Sequence, residues 1–135
     1  MVYQKPLPRP NADDKFFWDG CKKQKLLFQK CPNCYLIRWP PSVICPKCYS
    51  RDTEIMEAIG RGKIYTYAVY HKVYHHGFTD DVPYVTAVIQ LEEGPHFLSN
   101  IVDCKPEQLN CDLPVEIVWE SIPGGFSLPK FKLVS

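Results

Sequence analysis

Residues 31–48 read Cys31-Pro32-Asn33-Cys34, ten further residues, then Cys45-Pro46-Lys47-Cys48. Two Cys-x-x-Cys pairs at this spacing are a strong metal-site signal. A Cys-x-x-Cys turn sets two sulfurs on one side of an ion, and a second turn completes the tetrahedron of about 2.3 Å zinc–sulfur bonds. Pro32 and Pro46 fix φ near −65° at the second position of each turn, which lowers the entropy lost on forming the knuckle. Disulfides, a redox dithiol pair and iron are the alternatives. Ligand type and the expected reducing compartment favour zinc. Four thiolates close the coordination shell, so the expected Zn²⁺ is single and structural, with no position left for water or substrate. Such a cluster carries a formal −2, and Lys30, Arg38, Lys47 and Arg51 are close enough in sequence to offset it. A glycine often follows the second cysteine of a knuckle, where the backbone turns left-handed. Tyr35 and Tyr49 stand there instead, at a conformational cost.

Short strands flank the motif, Leu26-Leu27-Phe28 before it and Leu36-Ile37-Arg38-Trp39 between the pairs, ended by Pro40-Pro41. Upstream, three prolines in residues 1–10 give an extended arm. Asn11 and Asp14 open a short helix over about 12–24, in which Phe17 and Cys21 share a face. Downstream, β-branched and aromatic residues take over. Strands are expected over 54–59, 63–74, 84–91, 96–102, 114–120 and 128–133. The breaks between them include Gly60-Arg61-Gly62, Gly77 with Asp80-Asp81, Glu92-Glu93-Gly94 and Gly124-Gly125. This pattern implies a small, closed or partly closed barrel. The fold class is therefore mainly β, with an N-terminal arm and helix (1–24), a zinc ribbon (25–53) and a barrel (54–135).

The chain has 135 residues, 45% of them hydrophobic and 23% charged, and a net charge of +1. That is an ordinary globular composition. A nucleic-acid partner is disfavoured, because phosphate contacts demand a basic excess. Nothing in the sequence is apolar enough for a helix to span a bilayer, and the start Met1-Val2-Tyr3-Gln4-Lys5-Pro6 shows no signal-peptide core. The expectation is a cytoplasmic protein without a membrane partner. Seven cysteines are too many and too clustered to be incidental in a reducing compartment.

The ordered set of motifs resembles the DUF35 family, in which a short helix and a rubredoxin-like zinc ribbon precede an OB-fold associated with acyl-CoA metabolism. The matching residues are Phe17-Trp18, then Gln29-Lys30-Cys31-Pro32-Asn33-Cys34, then Trp39-Pro40-Pro41 and Cys45-Pro46-Lys47-Cys48. Gly60 through Tyr67, Pro83-Tyr84-Val85 and Leu91-Glu92-Glu93-Gly94 follow in order. The two tyrosines after the knuckles depart from the family pattern. So does Ser42, where an arginine often follows the double proline. The resemblance implies a non-catalytic subunit that scaffolds a thiolase-like catalytic partner and helps to form its CoA-thioester site. A zinc-ribbon/OB nucleic-acid module is the alternative. If relatives use the missing arginine on a phosphate, this chain must use another cation, such as Arg38 or Lys47. Arg38, Trp39, Lys47 and Arg51 are thus the expected CoA or partner contacts, and no residue is expected to be catalytic.

Other chemistry-bearing residues take plainer expectations. Cys21, Cys104 and Cys111 are read as free structural thiols, the last two nearer a loop. His71, His75, His76 and His96 are read as surface or subunit-contact residues, with His75 and His76 on opposite faces of a strand end. Strand periodicity puts Tyr65 and Tyr67 on one face and Tyr70 and Tyr74 on the other. Gly124-Gly125-Phe126 reads as a hairpin turn.

Overall fold

The structure is a computed structural model, and it describes residues 5, 7–12, 14–72, 75–78 and 82–134. Tyr74 and the Asp80-Asp81 turn lie outside the described residues.

The helix α1 (Lys15–Lys22) is shorter than the sequence reading at both ends. The reason is local. Asn11 N–H donates to Asp14 Oδ1 at 2.7 Å, and Asp14 N–H donates to Asn11 Oδ1 at 3.1 Å. The two side chains close a turn on each other, and Asp14 makes no side-chain cap to the helix amides. At the other end Gln24 takes φ 58° and stops the helix. A Cβ on Gly20 would sit 2.7 Å from Leu27, so the missing side chain lets α1 lie directly on β1 (Leu26–Lys30).

A three-stranded antiparallel sheet runs β2 (Ile37–Arg38), β1, β3 (Glu54–Ala58). The sequence reading gave 54–59 to the barrel. The register Leu26↔Ala58 through Lys30↔Glu54 instead makes β3 the third strand of the ribbon sheet. Pairing completes β1 on both edges. Gly60, at φ 79°, then turns the chain into the barrel; a Cβ there would meet Ile117 at 2.3 Å.

The barrel is closed in the order β4 (Arg61–Tyr70), β5 (Tyr84–Leu91), β6 (His96–Ile101), β8 (Ser127–Leu133), β7 (Pro114–Ser121), with β4 returning to β7. All neighbours are antiparallel except β6 and β8, which touch as a parallel pair at Ile101↔Phe131. β5 shows strict alternation, burying Val85, Ala87, Ile89 and Leu91. β4 does not, because a bulge lies between Ile64 and Thr66. The extra residue resets the parity. Tyr65 is therefore exposed and its ring lies tilted against His96 with centroids 4.4 Å apart, while Tyr67 turns inward and its hydroxyl donates to Leu109 O at 3.2 Å. The expected shared face of these two tyrosines is lost.

Phe97 joins the modules. It is 3% exposed, and its ring centroid lies 6.0 Å from Phe17 of the helix, 5.8 Å from Phe28 of β1, 5.1 Å from Trp39 and 6.2 Å from Phe131 of the barrel. Helix, ribbon and barrel share one aromatic core. Among the described residues, no helix is long and apolar enough to cross a membrane.

Candidate metal centre and functional surface

The two knuckles are built alike. Cys31 N–H donates to Leu36 O and Tyr35 N–H to Cys31 O; Cys45 N–H donates to Ser50 O and Tyr49 N–H to Cys45 O, all at 2.8 to 2.9 Å. Tyr35 and Tyr49 adopt φ 66° and 65°, so the left-handed position is kept without glycine.

The Sγ atoms of Cys31, Cys34, Cys45 and Cys48 all lie within 4.8 Å of one another. Cys31 and Cys48 are 3.5 Å apart, as are Cys34 and Cys45. A tetrahedron with 2.3 Å arms has edges of about 3.8 Å, so the four sulfurs fit one zinc ion. The surroundings support ionised thiolates. The Asn33 side chain and the Ser50 amide hold the Cys48 thiol down to about 6. Burial acts against Cys45, but the amides of Cys48 and Lys47 outweigh it and lower its pKa. At Cys34 the Leu36 amide lowers the pKa, yet burial and the other three sulfurs overcome it and push it up to about 11. Four sulfurs this close cannot all ionise unaided; the zinc charge supplies what the fourth requires. The site holds one structural zinc.

The expected contact residues divide. Arg38 is 5% exposed. Its Nε donates to Ser42 Oγ at 3.0 Å, and its Nη2 donates to Ser42 O at 3.1 Å and Thr53 Oγ1 at 2.8 Å. Ser42 N–H in turn donates to Gln29 Oε1 at 2.8 Å. Ser42, the departure from the family pattern, is therefore the residue that anchors Arg38, and the guanidinium pins β2 to the loop and to Thr53. Trp39 packs on Phe17 at 4.4 Å and on Phe28 at 5.6 Å, and is half-buried. Its remaining surface lines a cleft of about 410 Å³ with Trp18, Phe97, Leu98 and Lys130. Lys47 and Arg51 are exposed.

Cys21 is fully buried, and burial pushes its thiol up to about 12. Burial, helped by Asp103, raises Cys104. Cys111 is exposed, a surface thiol of the kind its loop position allows. His75 and His76 are not on a strand: β4 ends at Tyr70, and the two rings stack at 4.5 Å at the start of a 3₁₀ turn, His76–Phe78. Opposite-face alternation does not apply once the chain has left the sheet. The sequence reading missed the cleft, because its walls come from α1, from Trp39 just after β2, from the 3₁₀ turn and from β6, β7 and β8, and are brought together by packing alone.

Comparison with known proteins agrees with this architecture. The family model for the ChsH2 rubredoxin-like zinc ribbon domain matches residues 18–54, and that for the ChsH2 C-terminal OB-fold domain matches 56–120. A DUF35 domain-containing scaffold protein of Methanocaldococcus jannaschii is 44% identical over 108 residues, covering 78% of this chain and 75% of that protein. A probable enoyl-CoA hydratase alpha subunit of Thermomonospora curvata is 34% identical over 95% of this chain, but the chain spans 40% of that subunit's length. Among solved structures, a chain of the Ltp2-ChsH2(DUF35) aldolase superposes with TM-score 0.86 at 34% identity, covering 94% of this chain and 98% of that one. The order of modules, the metal ligands and these matches place the chain in the DUF35 family, as a zinc ribbon followed by an OB-fold.

Proposed function

We propose that the chain is the non-catalytic scaffold subunit of a cytoplasmic, thiolase-type acyl-CoA acyltransferase complex, with the CoA thioester at or near the interface. The carrying observation is the cluster of four cysteine sulfurs within 4.8 Å of one another, which would fill every position on a tetrahedral ion and so make it structural and not a Lewis acid. The other thiols point the same way, since a nucleophilic cysteine needs a lowered pKa and those of Cys21 and Cys104 are raised. An aromatic core that locks the modules together suits a scaffold, which must hold a partner in fixed geometry. The names of the similar proteins, a scaffold protein, a hydratase subunit and an aldolase, support an acyl-CoA-processing partner. The choice of thiolase rests on the family resemblance of the sequence. Lys47 and Arg51 are the proposed cations for CoA phosphates, with Arg38 acting behind them by fixing the ribbon. Trp39 reaches a thioester or partner only through the cleft.

The test is affinity purification of the tagged chain from its native cells, followed by assay of thiolysis. An equimolar thiolase whose activity is absent from the isolated chain is expected. Acyl-CoA turnover by the chain alone, or an equimolar partner of another reaction class, would overturn the reading.

A further inference from the structure

The left-handed backbone at Tyr35 and Tyr49 carries a Cβ where glycine is favoured, a strained arrangement. Little inside the chain offsets it. The two side chains are 70% and 78% exposed. Lys30 Nζ stands 5.8 Å from the Tyr35 ring, and among the described residues the Tyr49 side chain makes no hydrogen bond or ring contact. Both tyrosines directly follow cysteines of one metal site, so they project from one rigid centre. Val43 and Ile44, in the loop leading into the second knuckle, are 60% and 40% exposed.

The charge around them is one-sided. Between Asp19 and Asp52 there is no acidic residue, while six lysines or arginines besides the buried Arg38 lie there. That segment is +7, and the whole chain is only +1, so the remainder is −6. The cations at the knuckles themselves are Lys47 and Arg51, both exposed, and Lys30 beside the Tyr35 ring. Lys22 lies in α1, and the carboxylates Asp52, Glu54 and Glu57 come only after the second knuckle and in β3, so the basic rim of the tip consists of Lys30, Lys47 and Arg51.

We propose that the ribbon tip, with Tyr35 and Tyr49 as anchors, is the docking surface for an acidic face of a folded protein partner. An apolar and aromatic centre with a charged rim is the anatomy of a protein interface, and tyrosine is a preferred hot-spot residue. The exposed aliphatics favour protein over nucleic acid, whose phosphates would leave Val43 and Ile44 uncovered. Holding the rings on a zinc-fixed frame reduces the ordering cost of binding. The basic rim steers an acidic partner and makes association salt-dependent. This inference rests on the scaffold reading above and specifies the face the scaffold uses.

The test uses the complex reconstituted from the purified chain and the acyl-CoA-processing polypeptide that co-purifies with it in equimolar amount. Tyr35→Gly/Tyr49→Gly removes both rings while suiting the left-handed backbone, so zinc content and unfolding temperature should be unchanged or raised. Kd should rise at least tenfold. Lys47→Glu/Arg51→Glu should also raise Kd and flatten its dependence on salt. A double-glycine variant that binds within twofold of the parent, still holding one zinc, overturns the inference and leaves the scaffold reading standing. Parent chain binding a single-stranded oligonucleotide more tightly than the polypeptide, with that binding lost in the glycine variant, overturns the protein occupant. Failure of any such complex to form overturns both.

Discussion

Replacing Phe97 by alanine tests whether helix, ribbon and barrel unfold as one body. The side chain is 3% exposed and meets four aromatic rings from three parts of the chain. Burying a phenylalanine contributes about 1.5–3 kcal/mol by transfer alone. The cavity left behind brings Phe→Ala in a core to about 3–5 kcal/mol. The ring pairs argue for the upper half of that range, since each adds about 0.5–1.5 kcal/mol beyond area. At about 4 °C per kcal/mol for a chain of this size, the unfolding temperature should fall by roughly 15 °C. Calorimetry and far-UV circular dichroism of the zinc-loaded protein should show one transition shifted as a whole. Leu98→Ala is the matched control: the neighbouring residue points outward at 63% exposure, and its loss should cost within about 0.5 kcal/mol. A Phe97→Ala loss below about 1.5 kcal/mol, or a barrel transition that shifts while a separate ribbon transition stays in place, would refute the shared core.

Cys45→Ser should abolish zinc binding, whose apparent free energy in small ribbons is on the order of 10 kcal/mol. Metal analysis should find no zinc, and the barrel's unfolding temperature should also fall, because Phe28 and Trp39 of the ribbon pack on Phe97; one zinc retained per chain would refute the ligand set. With the zinc protein at pH 8, iodoacetamide should modify Cys111 first, Cys104 slowly and Cys21 not at all until unfolding, because raised thiol pKa values leave little thiolate and Cys21 is also enclosed. Peptide mapping reads the order, and activity of the complex should survive modification of Cys111. Arg38→Ala should lower stability by about 1.5–3 kcal/mol through its buried charged hydrogen bonds, seen as a shifted denaturant midpoint. Lys47→Ala should leave the midpoint unchanged and raise the KM for the CoA substrate in a salt-sensitive way; the reverse pattern would exchange the roles assigned to them.

What could be read from the sequence follows from how local each signal is. The zinc ligands were legible because Cys-x-x-Cys geometry is set within four residues, and the structure brings the two pairs together as their spacing requires. The barrel strands were legible through alternation, as in β5, where every second residue is buried. The bulge at Ile64/Thr66 was not. A bulge leaves no mark on the composition, yet it puts Tyr65 and Tyr67 on opposite faces. The assignment of β3 to the ribbon was hidden for a related reason. Glu54–Ala58 has the same strand character as the barrel that follows, and only its hydrogen-bonding partner, β1, decides the sheet.

Trp39 and the knuckle tyrosines show how residue type and position separate. Tryptophan is the stronger hot-spot residue by type, but Trp39 spends much of its surface on Phe17, Phe28 and Phe97, where it fastens the ribbon to the barrel. Tyr35 and Tyr49 stood in the sequence as unfavourable replacements for glycine. In the folded chain they are the outward rings beside the metal, and their backbone strain has no evident return within the molecule. The side chain that costs the fold something and contributes little to it is the better candidate for work outside the chain. Trp39 and Phe97 tie the ribbon to the barrel's core, so force applied by a partner at the tip is carried to the barrel through packed rings. A scaffold requires that combination of an adhesive end and a stiff connection.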